Sequence, residues 1–220
     1  EYNERAKTQP EVPPITLCTG RPQPYVEAIM KFIGAEWPAI CENGGLLYQL
    51  KGNRYLYDPR FQAQWRAKLS ELREQIDPVL LKKFHTDFQP GKETHLTLIA
   101  ETHEGILAVS EEIKTRLQIH LKNFQLSISE NCLNIVPDSF DKGSGLKWLA
   151  RVTEVPLENM AAVGDSEGDL PFMKLAGFSA CPANATPEVK ASVRYVSNFS
   201  YTLGLIDIIE KCISLNLEVL

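Results

Sequence analysis

The stretch AAVGDSEGDLPFM, residues 161 to 173, decides the fold, because it ends an apolar run in a glycine turn that carries two carboxylates. Residues 160–163 are typical of the end of a buried strand, and Gly164 permits a tight turn directly after it. Ligands of open α/β sheets bind beyond the carboxyl ends of the strands, and Mg²⁺ prefers a few hard oxygen ligands. Asp165 and Asp169 are therefore candidate Mg²⁺ ligands, although an ordinary acidic turn remains open from this stretch alone.

The composition is that of a globular protein with a sizeable core: 220 residues, 44% hydrophobic and 23% charged. The net charge of -5 and the lack of clustered Lys and Arg argue against a nucleic-acid partner. No apolar run is long enough for a membrane span, so we expect no membrane partner. The five cysteines show no CxxC or CxxH pairing, which favours reduced thiols and a cytoplasmic location.

Both ends of the chain show a strand and helix alternation. Residues 15–19 predict a strand, which is followed by a turn at residues 20–22 and a helix from Tyr25. From residue 142 onward strands and helices alternate again, which predicts parallel pairing with right-handed crossovers. The two ends therefore indicate one Rossmann-like domain with a parallel sheet.

The middle of the chain has a different pattern, of the α+β type. Its predicted elements are a hairpin at 46–57, a helix at 60–84, a strand at 94–100, a helix at 106–123 and a hairpin at 125–136. We predict an α/β protein with a discontinuous core domain, residues 1–45 and 137–220, and an inserted α+β domain, residues 46–136.

Three short polar segments follow predicted strands or begin predicted helices: Thr19-Gly20-Arg21, Lys142-Gly143 and residues 165–169. They supply a hydroxyl, an ammonium and carboxylates, which is the set that phosphoryl transfer needs. Each segment also has an ordinary alternative. Thr19 suits a helix cap, Lys142 a solvated loop, and Arg21 could pair with a surface carboxylate instead of contacting substrate. The four histidines show no metal-ligand spacing and are assigned to the surface or to packing in the inserted domain.

The order and the amino-acid sequences of these segments resemble the motifs of the haloacid dehalogenase superfamily, in the branch with a large cap inserted between the second and third motifs. Thr19 in CTGRP is similar to the second-motif hydroxyl that binds the phosphoryl group, and Lys142 in FDKGSGLKWL to the third-motif lysine that neutralises it. In VGDSEGD, Asp165 resembles the direct Mg²⁺ ligand, and Asp169 resembles a second ligand or an acceptor beside it. The resemblance covers nearly the whole chain.

Two further segments agree with this resemblance. ENGG, residues 42 to 45, is similar to the family's exit into the cap, and ANA, residues 183 to 185, belongs to a region similar to its closing segment. The resemblance implies catalytic roles for Thr19, Lys142 and Asp165, and substrate binding by Thr19, Gly20, Arg21, Lys142 and Asn184. It implies Mg²⁺ as the cofactor, bound by Asp165 and Asp169.

The superfamily's first motif, DxDxT, is not found in the 220 residues. Its leading Asp is the nucleophile, and its strand is central to the sheet of the family. Loss of that strand would leave two neighbouring strands with unpaired backbone groups, which are costly to bury. We therefore expect the nucleophile and its strand to be encoded upstream of Glu1 or supplied by a separate fragment.

The resemblance implies a Mg²⁺-dependent phosphatase that acts through an aspartyl phosphate. Its partner would be a small phosphate ester, such as a sugar phosphate, a phosphoglycerate-type sugar or phosphoglycolate, and the protein would be a monomer or a homodimer. Lys92, His95 and Arg54 are cations of the inserted domain that could meet a carboxylate or a sugar, with surface solvation as the alternative. A non-catalytic binding or regulatory module is the rival class, and a phosphotransferase or phosphomutase is a closer alternative.

Overall fold

The computed structural model describes residues 1–61, 63–76, 78–118 and 120–218. Gln62, Asp77 and Ile119, which the predicted helices 60–84 and 106–123 include, lie outside the described residues. The first part of the chain contains α1 (Tyr2–Arg5), α2 (Gln23–Ile33), β1 (Ala39–Cys41), β2 (Leu46–Gln49) and β3 (Arg54–Tyr57). The middle contains α3 (Ala63–Gln75), α4 (Pro78–Lys83), β4 (Thr86–Phe88), β5 (Leu96–Ala100), α5 (His103–Arg116), β6 (Phe124–Ser129) and β7 (Cys132–Pro137).

The last part of the chain alternates between helices and strands. It contains α6 (Lys142–Thr153), β8 (Ala161–Val163), α7 (Leu170–Met173), β9 (Phe178–Cys181), α8 (Pro187–Ser192), β10 (Tyr195–Val196) and α9 (Tyr201–Leu217). Strands β8, β9 and β10 pair in parallel in the order β10-β9-β8. The parallel pairing arises because each strand is followed by a helix that returns the chain to the opposite end of the sheet. The predicted α/β fold class is confirmed.

The predicted strand at 15–19 is reduced to a short parallel contact with β1. Ile40 donates its N–H to the Leu17 carbonyl at 2.8 Å and accepts from Thr19 N at 2.9 Å, around a bridge between Cys18 and Ile40. Among the described residues β8 pairs only with β9, and Ala161 at its start is exposed. The core sheet is thus present in two pieces, and among the described residues neither the segment at 17–19 nor β8 has a pairing partner on its other side.

The hairpin at 46–57 belongs to the core by its hydrogen bonds. Strand β2 pairs with β1 on one side and β3 on the other, both antiparallel, in the order β1-β2-β3. Leu46 and Tyr48 pack with α2, whereas Leu47 packs with Leu146 and Leu149 of α6, so both faces of β2 are covered. The sheet of the first part of the chain therefore continues across the predicted domain boundary between residues 45 and 46. We propose a boundary close to Asp58 instead.

The middle of the chain, the predicted inserted domain, contains an antiparallel sheet of four strands in the order β4-β5-β7-β6. Helices α3, α4 and α5 share one apolar cluster with it, which runs from Phe61 to Phe140. Strand β4 was not predicted, because its sequence TDF is too short and polar to show an alternating pattern. It forms because Thr86 to Phe88 pair with the buried strand β5. This apolar cluster forms a core for the middle of the chain that is separate from the clusters around β1–β2 and β8–β9.

The turn at residues 42–44 presses against the start of α6. Gly44 has φ +94, and a Cβ atom there would lie 2.2 Å from the carbonyl oxygen of Asp141. We expect Gly44→Ala to lower the free energy of unfolding by about 3 kcal/mol, because strain and backbone overlap add. Urea denaturation followed by circular dichroism measures this effect.

Gly168→Ala is the matched control for that substitution. Gly168 has an ordinary φ, and an added Cβ would meet only the Ser166 hydroxyl oxygen, at 3.9 Å. We expect the free energy of unfolding of this variant to stay within about 0.5 kcal/mol of the parent. Equal stability of the two variants would contradict the described contact between Gly44 and Asp141.

Candidate active site

The loop that follows β8 is organised by Asp169. Its Oδ2 accepts hydrogen bonds from Asp165 N at 3.0 Å, Ser166 N at 3.2 Å and Ser166 Oγ at 3.1 Å. Gly164 is required here, because an added Cβ would lie 2.4 Å from Asp169 Cβ. The buried Asp169 carboxylate therefore folds the loop around itself and leaves the exposed Asp165 side chain at the sheet edge.

Lys142 at the start of α6 contacts the same carboxylate. Its Nζ lies 2.5 Å from Asp169 Oδ1, and the two side chains are 16% and 9% exposed. Burial raises the pKa of Asp169, but the charge and hydrogen bond of Lys142 and the two backbone donors outweigh it, so the pKa lies below its usual value. Asp141 caps α6 by accepting from Ser144 N at 2.6 Å, which fixes the position of Lys142 in the first turn.

The segment before Thr19 lies beside this ion pair. Burial raises the pKa of Cys18 to about 12, and the charges of Lys142, Asp169 and Asp141 also act on its thiol. Cys18 packs in the apolar cluster that contains Ala162 of β8 and Leu146 of α6. The residue just before Thr19 therefore lies close to Lys142 and Asp169, the ion pair that joins the other two polar segments.

Thr19, Gly20 and Arg21 form a turn that we call the 19–21 loop. Thr19 stabilises this turn by two hydrogen bonds. Thr19 Oγ1 accepts from Arg21 N at 3.1 Å, and its carbonyl accepts from Asn43 N at 3.2 Å. Thr19 is not the N-cap of α2, because that position is Pro22. The helix-cap alternative is therefore wrong. Among the described residues the Thr19 hydroxyl has no acceptor for its proton, so it can donate to a ligand.

The fit of the site to Mg²⁺ depends on Asp165. No group of three His, Cys, Asp or Glu side chains suited to a metal exists in the part of the chain that the structure describes. Mg²⁺ often uses only one or two protein carboxylates together with water and substrate phosphate, and the exposed Asp165 suits that role. Both oxygens of Asp169 already accept protein hydrogen bonds. This favours the acceptor role for Asp169 over direct ligation.

Asn184 has a different partner from the one that the resemblance implies. Its Oδ1 accepts from Tyr201 N at 2.7 Å, at the first residue of α9. No hydrogen bond joins its side chain to Thr19, Lys142 or Asp165 within the described residues. The neighbouring Thr186 does reach the site, since its N–H donates to the Asp165 carbonyl at 3.0 Å. A substrate-binding role of Asn184 stays a prediction.

Lys92 of the predicted inserted domain reaches the 19–21 loop, and His95 contacts Lys92. Surface solvation was the alternative for both residues. Lys92 Nζ donates to the Gly20 carbonyl and lies 2.9 Å from His95 Nε2. His95 is 1% exposed, so surface solvation is excluded for it. Arg54, by contrast, is exposed on β3. Glu42, which the sequence marked only as part of ENGG, is buried and accepts hydrogen bonds from Glu93 N and Thr94 N.

These features define a cluster of polar and charged side chains beyond the end of β8 in an α/β core. The family model of haloacid dehalogenase-like hydrolases matches residues 70–209, more than half of the chain. The chain therefore belongs to this family. The predicted membership of the haloacid dehalogenase phosphatases, and with it the enzyme class of phosphoric monoester hydrolase, is confirmed.

Two curated relatives and two solved structures illustrate the similarity. A phosphoglycolate phosphatase of Methanothrix thermoacetophila is 27% identical over 206 residues, covering 90% of this chain and 82% of the relative. One of Methanosarcina acetivorans is 28% identical over 200 residues, covering 90% and 81%. A crystal structure of a Thermoplasma acidophilum protein has a TM-score of 0.70 at 21% identity, covering 96% and 87%. A haloacid dehalogenase-like hydrolase of Bacteroides thetaiotaomicron has a TM-score of 0.69 at 18% identity, covering 89% and 85%.

Proposed function

We propose that this protein hydrolyses a small phosphate monoester with the help of Mg²⁺. The observation that carries the proposal is the ion pair between Lys142 and Asp169, which joins the start of α6 to the carboxylate loop beside Thr19. A fixed ammonium, a hydroxyl and an exposed carboxylate at one edge suit the charge that develops on a transferring phosphoryl group. A structural ion pair alone would not require the free Thr19 and Asp165 groups next to it.

Some residues of the chain would bind the phosphoryl group or Mg²⁺, and another would hold these residues in position. Thr19 and Lys142 would bind oxygens of the phosphoryl group, and Asp165 would hold Mg²⁺. The ion, when bound, offsets negative charge on the phosphoryl group and on the attacking carboxylate. Asp169 would keep Lys142 and the loop in place, since its oxygens bind Lys142 and the backbone of residues 165 and 166.

The attacking group is proposed from family membership. A carboxylate oxygen would bond to phosphorus while the ester oxygen leaves with a proton from a second acid, and water would then cleave the acyl phosphate. No Asp occurs among the 18 residues before Thr19, so we propose that this carboxylate lies outside residues 1–220. The open edges of β8 and of the strand at 17–19 support an additional strand between them.

The choice of substrate is supported by the relatives rather than by the site alone. The two curated relatives described above are named phosphoglycolate phosphatases, which favours phosphoglycolate or a similar small ester. The five cysteines are all free, which supports a reducing compartment such as the cytoplasm. No helix in the described ranges is long and apolar enough to cross a membrane.

Phosphate release from a panel of esters tests the proposal with the full-length protein. We expect Mg²⁺-dependent release from phosphoglycolate, sugar phosphates or an aryl phosphate, and a decrease of about 100-fold or more with chelator. An acceptor alcohol that competes with water would indicate a phosphotransferase. If no ester is hydrolysed with Mg²⁺ present, the proposal fails, and the binding or regulatory module that lacks a nucleophile becomes the better explanation.

A further inference from the structure

The loop at residues 91–95 of the inserted domain lies against the 19–21 loop of the core. Lys92 donates to the Gly20 carbonyl, and an added Cβ at Gly91 would come within 3.6 Å of Pro22 and 3.5 Å of Pro24. Gly20 is the residue directly after Thr19, the proposed phosphoryl-binding residue. An ammonium of the inserted domain is therefore held at the rim of the phosphate site.

Buried neighbours fix the position of that ammonium. Burial lowers the pKa of His95 well below its usual value, so the imidazole is neutral and Nε2 accepts from Lys92 Nζ. His95 Nδ1 then carries the proton and faces Glu42 Oε2 at 3.7 Å. Glu42 in turn accepts from Thr94 N at 2.7 Å and from Thr94 Oγ1 at 2.9 Å. His95 thus directs Lys92 toward the 19–21 loop by a hydrogen bond, whereas the Glu42 carboxylate forms no hydrogen bond with His95 and acts on Lys92 through its charge.

Positive charge exceeds negative charge at this rim. The neighbouring carboxylate of Glu93 is turned away, because it binds Tyr57 Oη at 2.5 Å and Arg66 at 3.5 Å. Arg21 forms no ion pair within the described residues. Lys92 has three N–H donors, and its hydrogen bonds to Gly20 and His95 use two of them. The third donor and Arg21 are available for an anion.

We propose that Lys92 is a substrate-binding residue that selects phosphate esters carrying a carboxylate close to the phosphoryl group, and that His95 and Glu42 position it. This inference rests on the proposed function and adds the chemical class of the substrate. The phosphoryl charge is met by Lys142 and Mg²⁺ on the core side. Lys92, which contacts the residue after Thr19, would recognise charge on the leaving part of the ester.

Binding of non-hydrolysable ligands tests the proposal without turnover. The ligands are 3-phosphonopropanoate, which keeps both anions of phosphoglycolate, and propylphosphonate, which has a methyl group in place of the carboxylate. By isothermal titration calorimetry at pH 7 with Mg²⁺, we expect the parent protein to bind the carboxylate ligand about tenfold or more tightly. Equal affinity for the two ligands overturns the proposal.

Substitution of Lys92 assigns the preference to this residue. Lys92→Met keeps the length of the side chain and removes the charge, so we expect the two ligands to bind with nearly equal affinity. Lys92→Arg is expected to retain part of the preference. Lys82→Met, on the exposed face of α4, is the matched control and should behave like the parent. Equal weakening of both ligands by Lys92→Met would overturn the proposal.

The pH dependence of the ligand preference distinguishes substrate binding by Lys92 from a purely structural role of this residue. Burial lowers the pKa of Lys92 to about 8. The charge of Glu42 opposes this decrease, and the charge of Arg21 adds to it. The other groups that face the ammonium are His95 and the thiols of Cys41 and Cys132. Lys92 loses its charge as the pH rises through about 8. The affinity ratio of the two ligands should therefore fall above that pH in the parent and persist in Lys92→Arg.

The positioning role of Glu42 is tested by the same titration. Glu42→Gln keeps an oxygen for the Thr94 donors but removes the negative charge, so the pKa of Lys92 should fall further. The preference for the carboxylate ligand should then disappear at a lower pH than in the parent. An unchanged midpoint would contradict the role of Glu42.

Hydrolysis of an aryl phosphate is measured in parallel. Its absence would refute the proposed hydrolase function, while the binding preference would still report on Lys92.

Discussion

Lys142→Met is expected to destabilise the protein and to abolish most of its phosphate release. The substitution leaves the Asp169 carboxylate buried without its cation, which costs on the order of 3 kcal/mol of unfolding free energy. Turnover should fall by about 100-fold or more, because the phosphoryl group loses a fixed cation. Urea denaturation and a phosphate-release assay measure the two effects separately.

The pH dependence of stability identifies the cause of this loss. In the parent, the pKa of Asp169 lies below its usual value, so its stabilising contribution is present above about pH 4 and is lost as the pH falls through the folded pKa. In Lys142→Met the hydrogen bonds from the loop remain, but the charge and hydrogen bond of the ammonium no longer oppose burial, so the pKa of Asp169 should rise. The stability difference between parent and variant should therefore shrink between pH 7 and about pH 4.

The double variant Lys142→Met with Asp169→Asn is the control. Removal of both charges leaves no unpaired carboxylate, so it should recover a large part of the lost stability without recovering activity. A double variant as unstable as Lys142→Met would show that the ion pair is not the cause.

Asp165→Asn is expected to lower Mg²⁺-dependent turnover by about 1,000-fold with little change in stability. The Asp165 side chain is exposed, and its structural hydrogen bonds come from the backbone, whose N–H donates to Asp169 Oδ2 and whose carbonyl accepts from Thr186 N. Its replacement should alter the free energy of unfolding by less than about 0.5 kcal/mol. Phosphate release across a range of Mg²⁺ concentrations measures the effect, and thermal denaturation checks the fold.

Glu167→Gln is the matched control for Asp165→Asn, because Glu167 is an exposed carboxylate two residues away on the same loop. It should keep both the turnover and the Mg²⁺ dependence of the parent. If the two variants lose activity equally, the general negative charge of the loop, and not ligation by Asp165, would explain the result.

The sequence predicted the fold class because the core elements carry strong local patterns. Apolar runs such as residues 160–163, each ended by glycine, indicate strand ends wherever they occur in the fold. Strand β4 could not be predicted, because three residues with the sequence TDF carry no pattern and form a strand only against β5. The local sequence pattern could not predict that the hairpin at 46–57 belongs to the sheet of the core, because this depends on the pairing of β2 with β1.

The candidate site was predictable in part for the same reason. Thr19, Lys142 and Asp165 follow predicted strand ends or begin predicted helices, and strand ends of a parallel sheet meet at one edge. The roles of Lys92 and His95 could not be predicted from their own segment. Isolated charged and polar residues have no periodicity that separates a solvated side chain from a buried one, and surface solvation is their common state.

The sequence by itself determined that the loop at residues 164–169 lies at the end of a buried strand and carries two carboxylates. Only the tertiary structure decided how those carboxylates differ: Asp169 is buried against Lys142 and the loop backbone, whereas Asp165 is exposed. The physical reason is that a turn is specified by neighbouring residues, but the environment of a charge depends on packing between distant segments. Lys142 lies 27 positions before Asp169 in the chain, and only folding places its ammonium 2.5 Å from that carboxylate.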